Sequence, residues 1–510
     1  MFDNLALSLV LFFPILSALI LLFLPPHLKA TIKSFSFYVS IINFLLAVII
    51  FIRFKSISDF QFIVKIPWNE TLGMSYHVGI DGISLFLLLI TTFFIPISIL
   101  STWNVIKEKE KTFYICMLLL EGFLIGSIVS LDMLFFYIFW ELMLIPVFFM
   151  IGVWGGSKRI NATVKFFIYT MTGSLAMLVS LLYIYNRFYS QYGYYTFDIT
   201  KLYDVSVKPE VSVLLFFMFL LAFAIKAPLF PFHSWLPDTY TEAPTSVTVI
   251  LSAVMAKIGV YGMIRFVIPL FPNTFSHYAN LLMTLAVIGT IYAGLIAIVQ
   301  KDMKRLIAYS SISHLGYILL GAFALNIQSL QGSLFHMMSH ALSTGALFLL
   351  LGFLEERIKT RMFENVGGLM KVIPYFGFFF MLMMFASIGL PGLNGFVGEF
   401  LILLGAFGKN KILSGLCATG IIISAVYMLW LFQRIMFGKL KGELTKENDL
   451  NFRELSILIP ISVLVIILGI YPQPFLNKIE PSISKYIEQV QEKQFEENTF
   501  NISNNSEEKI

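Results

Sequence analysis

Apolar runs of twenty or more residues recur along this chain from end to end, and nothing else in the sequence constrains its fold as strongly. A helix needs about 20 apolar residues to cross a hydrocarbon layer about 30 Å thick. Such runs lie near 5–24, 34–53, 82–105, 112–130, 133–153, 162–187, 210–230, 244–268, 279–299, 305–325, 331–355, 372–403, 412–437 and 455–470. They predict an all-α polytopic membrane protein of about fourteen transmembrane helices. Of the 510 residues, 58% are hydrophobic and only 13% charged, too little polar surface for a soluble protein of this size. Barrel strands would alternate apolar and polar over about ten residues, and these runs are longer and continuous. Met1–Asn4 carries no positive n-region, and the first run ends in Pro25-Pro26, so no cleavable signal is expected.

Lys and Arg concentrate in the loops after the odd-numbered spans: KEKEK (107–111), Lys158-Arg159, KDMKR (301–305) and Arg357, Lys359 and Arg361. That face is therefore read as cytoplasmic, with both termini on the other side of a cell inner membrane. The net charge of +5 is spread over short loops and does not suggest a nucleic-acid partner. The longer connections are 54–81 and 188–209. The tail 478–510 is polar and is read as exposed, its last fifteen residues as disordered.

Two spans carry interruptions. The seventh reads FLLAFAIKAPLFPFHSWLP, with Pro228, Pro231 and Pro237; the twelfth reads MMFASIGLPGLNGFVGEFLILL, with Pro391-Gly392 and Gly395. Proline removes a donor and clashes with the preceding turn, so both helices break. Freed carbonyls at membrane depth must face protein or water. Breaks five spans apart suggest two inverted five-helix repeats, spans 4–8 and 9–13. The expected organisation is 1–110 (spans 1–3), 111–268 and 279–438 (the repeats), 455–477 (span 14) and 478–510 (the tail). Two unrelated kinks are the plainer alternative, since aligning Pro228 with Pro391 sets Lys226 against Gly389 rather than Glu399.

An ionisable group at mid-membrane costs roughly 2.5–3.5 kcal/mol, so each one needs a reason. Glu141 lies in span 5, about 13 Å along the helix from Asp132, and needs a partner from another helix. Lys226 sits two residues before the break at Pro228. A carboxylate at about 6 Å would attract it by roughly 2.8 kcal/mol at an effective dielectric of about 20. Lys257 in span 8 is flanked by Ser252, Ala253, Ala256 and Gly259 and is too central to snorkel, whereas Arg265 is expected to reach the interface. Glu399 follows the break of span 12 by two turns. Structural salt bridges, helix packing or a capped half-helix are the alternatives for these four. Glu121, also mid-span, is either a peripheral structural carboxylate or a relay group. Asp132, Asp238 and Glu242, near helix ends, read as solvated.

His314 occurs in SSISHLGY, with Ser310 one turn earlier on the same face. His336 and His340 are spaced i, i+4. That spacing can bind a metal, but HMMSH lacks the Glu of a zinc-protease helix and no third ligand is apparent, so no metal is expected. Core histidines or a proton relay remain. Cys116 and Cys417 are too few for an iron–sulfur cluster. The mid-span groups form an alternating set of acid, base, base, imidazole and acid. Moving a charge against 100 mV costs about 2.3 kcal/mol, on the scale of the Lys–Glu attraction above.

These stretches resemble the antiporter-like subunits of proton-pumping NADH:quinone oxidoreductase, respiratory complex I. The similar segments are GIDGISLFLLLITTF (79–93), FFYIFWELMLIPVFFMIGVWGG (135–156), AFAIKAPLFPFHSWLPDTYTEAPTSVTVILSAVMAKIGVYGMIRF (222–266), KDMKRLIAYSSISHLGYILLG (301–321) and LPGLNGFVGEFLIL (390–403). The resemblance implies that Glu141 and Lys226 pair in a first half-channel, that Lys257 and His314 connect, and that Glu399 ends the second. Glu at 399 resembles the M-type (mitochondrial subunit 4) pattern. The L-type has Lys there and a long lateral helix, for which this chain leaves no room. The resemblance further implies neighbouring antiporter-like subunits as partners, with flavin, iron–sulfur clusters and quinone on other chains. A subunit of a multisubunit sodium/proton antiporter and a structural membrane scaffold are the competing readings.

Overall fold

The computed structural model describes residues 2–441 and 449–507, with 2, 4 and 498–507 by backbone alone. Helices α1 (Phe2–Phe23) and α2 (Lys29–Arg53) lead to a hairpin of β1 (Gln61–Asn69) and β2 (Met74–Ile80), then to α3 (Gly82–Ser101) and α4 (Glu110–Val129). Helices α5 (Met133–Leu142) and α6 (Leu144–Trp154) are halves of one span. Helix α7 (Arg159–Tyr192) precedes the short α8 (Ile199–Leu202), and α9 (Pro209–Lys226) precedes α10 (Trp235–Glu242). Helices α11 (Thr245–Ile250), α12 (Ala256–Gly262) and α13 (Ile268–Leu270) form one span, joined by π-turns at Leu251–Met255 and Met263–Val267. Next come α14 (Pro272–Ile298), α15 (Met303–Ala324) and α16 (Ile327–Ile358). Helices α17 (Pro374–Ile388) and α18 (Asn394–Lys409) flank a break, and α19 (Lys411–Met436), α20 (Phe452–Ile470) and α21 (Gln473–Glu507) complete the chain.

Among the described residues, thirteen helical segments are long and apolar enough to cross a membrane. The broken pair α17–α18 supplies a fourteenth segment, as the sequence predicts. Side-chain caps set several starts: Asp81 for α3, Asp132 for α5, Asp302 for α15 and Asn326 for α16 each accept backbone N–H groups left free in a first turn. Both expected breaks are present. Helix α9 stops at Lys226, since the residue before Pro228 is steered away from helical geometry. Helix α17 stops at Ile388, where Gly389 takes φ +83°, the left-handed conformation glycine reaches without strain.

The segment α11–α13 and helix α16 are buried over their whole apolar length, and α15 nearly so. A helix that is apolar all round belongs in an interior, and these three carry Lys257, His314, His336 and His340. Helices α1, α2, α7 and α19 form the periphery and turn Leu16, Ile52, Ile168 and Ile422 outward.

The two longer connections carry secondary structure, and the tail differs from expectation. Residues 61–80 form an antiparallel hairpin in which Lys65 pairs with His77 and Ile66 with Tyr76. Residues 188–209 contain the end of α7 and α8. The tail is not exposed: α21 buries Ile479, Ile483, Tyr486, Ile487 and Val490, one stripe at helical spacing. It packs on α3, α14 and α16. The Gly82 N–H donates to Ser482 Oγ at 2.9 Å, and Lys493 Nζ donates to the carbonyls of Pro269 (3.2 Å) and Leu270 (3.1 Å). The polar composition of the tail conceals this stripe. The fifteen residues expected to be disordered are helical through Glu507, and 508–510 lie outside the described residues. A helix of 35 residues thus follows span 14, contrary to the expectation that the chain ends soon after it.

Candidate functional site

Lys226 ends α9, and its ammonium stands 4.6 Å from the centre of the Trp140 ring, over its face. It is buried, and Nζ has no hydrogen-bond partner among the described residues. Glu141, next to Trp140 on α5, is near enough for its charge to act on Lys226. The two form no ion pair within 4 Å, and Glu141 Oε1 is also unpartnered. The expected pair is therefore an open one, with the indole face holding the cation. Beyond the break, the Trp235 indole N–H donates to the freed carbonyl of Ile225 at 2.8 Å. Gly259 lets α12 approach: a Cβ there would lie 2.6 Å from Ala227 N and 2.9 Å from Phe223 O.

Lys257 lies between the two π-turns and is wholly buried. Its Nζ donates to the carbonyl of Ser252, within the first π-turn, and meets His340 Nδ1 at 2.6 Å. Widening a helix by one residue leaves such a carbonyl open to a side chain. His340 Nε2 lies 3.2 Å from Ser311 Oγ. The His340 and His314 rings are 5.4 Å apart, centre to centre. His314 Nδ1 lies 3.2 Å from Glu399 Oε1, and its Nε2 lies 3.3 Å from Ser387 Oγ. Lys257, His340, His314 and Glu399 thus form a row across α12, α16, α15 and α18. His336 branches from it, with Nε2 at 3.7 Å from Glu399 Oε1 and neither ring nitrogen hydrogen-bonded.

Two glycines beside the break seat Glu399. A Cβ at Gly398 would lie 2.6 Å from His336 Cβ, so only glycine lets α18 press against α16 there. A Cβ at Gly389 would lie 2.6 Å from Glu399 Oε2.

Several expectations are corrected. Arg265 does not snorkel; it is buried, with Nη2 at 2.6 Å from Asp81 Oδ1. Asp132 and Glu242 are buried rather than solvated: Asp132 accepts from Ser75, Leu134 and Phe135, and Glu242 pairs with Arg361 at 2.9 Å. Asp238 is partly exposed and holds Lys165 and Arg305, each at 2.8 Å. Ser310, one turn before His314, bonds Tyr427. Glu121 stands apart from the row on α4, accepting from Asn43 Nδ2 at 2.6 Å. A third ligand beside the histidines does exist. One donor atom each from His314, His336 and Glu399 lies within 4.8 Å of the others, so these three could hold a metal ion. The sequence obscures the set because its members come from three helices, and i, i+4 spacing singles out His340 instead. Trp140 also escapes sequence reasoning, since a tryptophan in an apolar run reads as packing.

A cavity of about 480 Å³ opens where the ends of α3, α6, α10 and α16 meet. Glu242, Lys304 and Arg361 line it, and no member of the row does.

Among the described residues, a bundle of fourteen apolar segments, with alternating titratable groups inside and broken helices beside them, defines a polytopic membrane protein that holds ionisable side chains in its interior. Residues 130–425 match the family described as NADH:quinone oxidoreductase/Mrp antiporter, TM, and the chain belongs to that family. It is 42% identical over 478 residues to NADH-ubiquinone oxidoreductase chain 4 of Chondrus crispus, covering 93% of this chain and 96% of that one. It is 40% identical to NADH-quinone oxidoreductase subunit M of Rickettsia bellii (strain RML369-C), covering 94% and 98%. Among solved structures, a chain of respiratory complex I from Thermus thermophilus with bound NADH superposes with TM-score 0.86 at 32% identity, covering 95% of this chain and 99% of that one. A chain of the Mrp complex from Dietzia sp. DQ12-45-1b shares the fold, with TM-score 0.84 at 20% identity over 96% and 100%.

Proposed function

We propose that this chain is the M-type proton-translocating membrane subunit of NADH:quinone oxidoreductase, and that Glu141, Lys226, Lys257, His340, His314 and Glu399 carry the protons. Relatives at about 40% identity, matched over nearly their whole length, bear that subunit's names. The likeness to the Mrp complex is one of fold alone, which leaves the sodium/proton antiporter as the weaker reading.

The observation that carries the mechanism is the row from Lys257 through His340 and His314 to Glu399. Each imidazole has two nitrogens and can accept a proton on one side while releasing one on the other. At 2.6 Å, Lys257 and His340 can share one proton. His314 Nδ1 and Glu399 Oε1 stand 3.2 Å apart without a hydrogen bond and can do the same once that contact tightens. Lys226 and Glu141 act as a switch: their attraction is roughly 2.8 kcal/mol at a separation of about 6 Å and changes as the pair opens or closes, on the scale of about 2.3 kcal/mol per charge against 100 mV. A scaffold reading would favour closed ion pairs, and Lys226 and Glu141 are not closed. His336 and Glu121 are secondary members.

Two five-helix units, 111–268 and 279–438, each contain one broken helix, α9–α10 carrying Lys226 and α17–α18 carrying Glu399. Both termini face the non-cytoplasmic side, as the basic loops indicate. Flavin, iron–sulfur clusters and quinone reside on partner subunits, which deliver the redox energy.

The test uses intact complex in vesicles carrying Lys226→Ala or Glu141→Ala. Assembly is expected to persist while quinone-coupled proton uptake falls strongly. Normal uptake by either assembled variant sinks the mechanism.

A further inference from the structure

From Lys257 the row runs sideways to His340; in the other direction, along its own span toward Leu270, the next charged side chain is Arg265. Arg265 lies eight residues after Lys257, about 12 Å along the helix, in the second π-turn. It is buried, pairs with Asp81 at 2.6 Å, and has Phe60 and Tyr261 at 5.0 and 5.4 Å from its guanidinium. Tyr203 donates to its carbonyl at 2.7 Å. The tail helix covers this place: Tyr486 is buried on its packed face, Ser482 ties α21 to Gly82, the residue after Asp81, and Lys493 reaches the carbonyls of Pro269 and Leu270.

We propose that Arg265, held by Asp81 and roofed by Tyr486 of the tail helix, is a plug that closes the direct route from Lys257 to the Leu270 end of the protein. The inference rests on the reading of Lys257 as a proton carrier.

The reason is the chemistry of the two groups. A proton wire needs every member both to accept and to donate. Guanidinium has five N–H donors and no acceptor, and it does not lose its proton in proteins. A wire that reaches it stops. Asp81 is fixed against the guanidinium: its Oδ1 also receives the N–H groups of Ile83 and Ser84 and the Ser84 hydroxyl. Shutting this route commits a proton on Lys257 to His340 and the row.

The test measures passive leak. Intact complex is reconstituted in liposomes, turnover is stopped, and the decay of an imposed pH gradient is followed per assembled complex. Arg265→Gln replaces the donor-only cation with a neutral amide that can accept. Decay is expected to quicken about tenfold, which corresponds to roughly 1.4 kcal/mol off the barrier. Adding Lys257→Met should remove that excess leak, because the route runs through Lys257. A role in stability alone would lower yield without making a leak that depends on Lys257. Tyr486→Ala opens the roof and keeps both charges, so it serves even where Arg265→Gln fails to assemble; a several-fold faster decay is expected. Assembled Arg265→Gln or Tyr486→Ala complex that holds its gradient as long as wild type overturns the plug. So does a leak untouched by Lys257→Met. The carrier role of the row is read separately, from quinone-driven uptake by the Lys226→Ala complex.

Discussion

Gly389→Ala tests whether the position of Glu399, and not merely its presence, governs proton passage. Gly389 holds φ +83° at the break between α17 and α18. A non-glycine residue there costs about 1–2 kcal/mol of backbone strain. The added Cβ would stand 2.6 Å from Glu399 Oε2, whereas ordinary contact begins at 3.4 Å. The carboxylate must therefore retreat by about 0.8 Å. Its Oε1 stands 3.2 Å from His314 Nδ1, which has no hydrogen-bond partner among the described residues. Proton transfer needs this contact to tighten into a hydrogen bond. A hydrogen bond to a charged group is worth about 1.5–3 kcal/mol, and a carboxylate held too far back to form one slows transfer roughly tenfold at the lower figure. Gly392→Ala is the matched control, since that residue has φ +92° and a methyl group added to it would meet nothing within 4 Å. It should carry the backbone cost alone. In vesicles, quinone-driven proton uptake per assembled complex should fall about tenfold or more for Gly389→Ala and stay near wild type for Gly392→Ala. Equal uptake by the two variants would refute the argument that the carboxylate must sit against His314.

Asn43→Ala should lower the thermal stability of the complex by about 1–3 kcal/mol, because it removes the hydrogen bond that the amide gives to the buried Glu121 carboxylate. Proton uptake per quinone should not change in the complex that assembles; a selective loss of uptake would move Glu121 into the path. Burial holds the Lys493 amine of the tail helix down to about 8, with Glu497 and Asp204 opposing the shift. Between about pH 8 and its ordinary lysine value, the undocked tail then binds more protons than the docked one, so docking should tighten as pH rises through that window. Limited proteolysis of the tail should slow correspondingly, and Lys493→Met should remove the dependence; unchanged cleavage across the window would contradict the reading.

The architecture and the identity of the charges are legible in the chain alone. Membrane spans are local facts: some twenty apolar residues must cross as a helix wherever they occur, and Pro228 and Pro391-Gly392 mark the two spans that break. A charge within such a run is equally plain, so Glu141, Lys226, Lys257 and Glu399 stand out without any coordinates. Which groups meet is a matter of packing. His314, His336 and Glu399 come from three helices, and nothing in one sequence sets the rotation of a helix about its axis. Arg265 reads as a snorkelling residue because its helix end is near; Asp81, 184 positions earlier, buries it. The tail reads as solvated because its average is polar, yet five apolar side chains on one face suffice to seat α21. Burial depends on what a neighbouring element presents across a few ångströms, and that is information no local window of sequence contains.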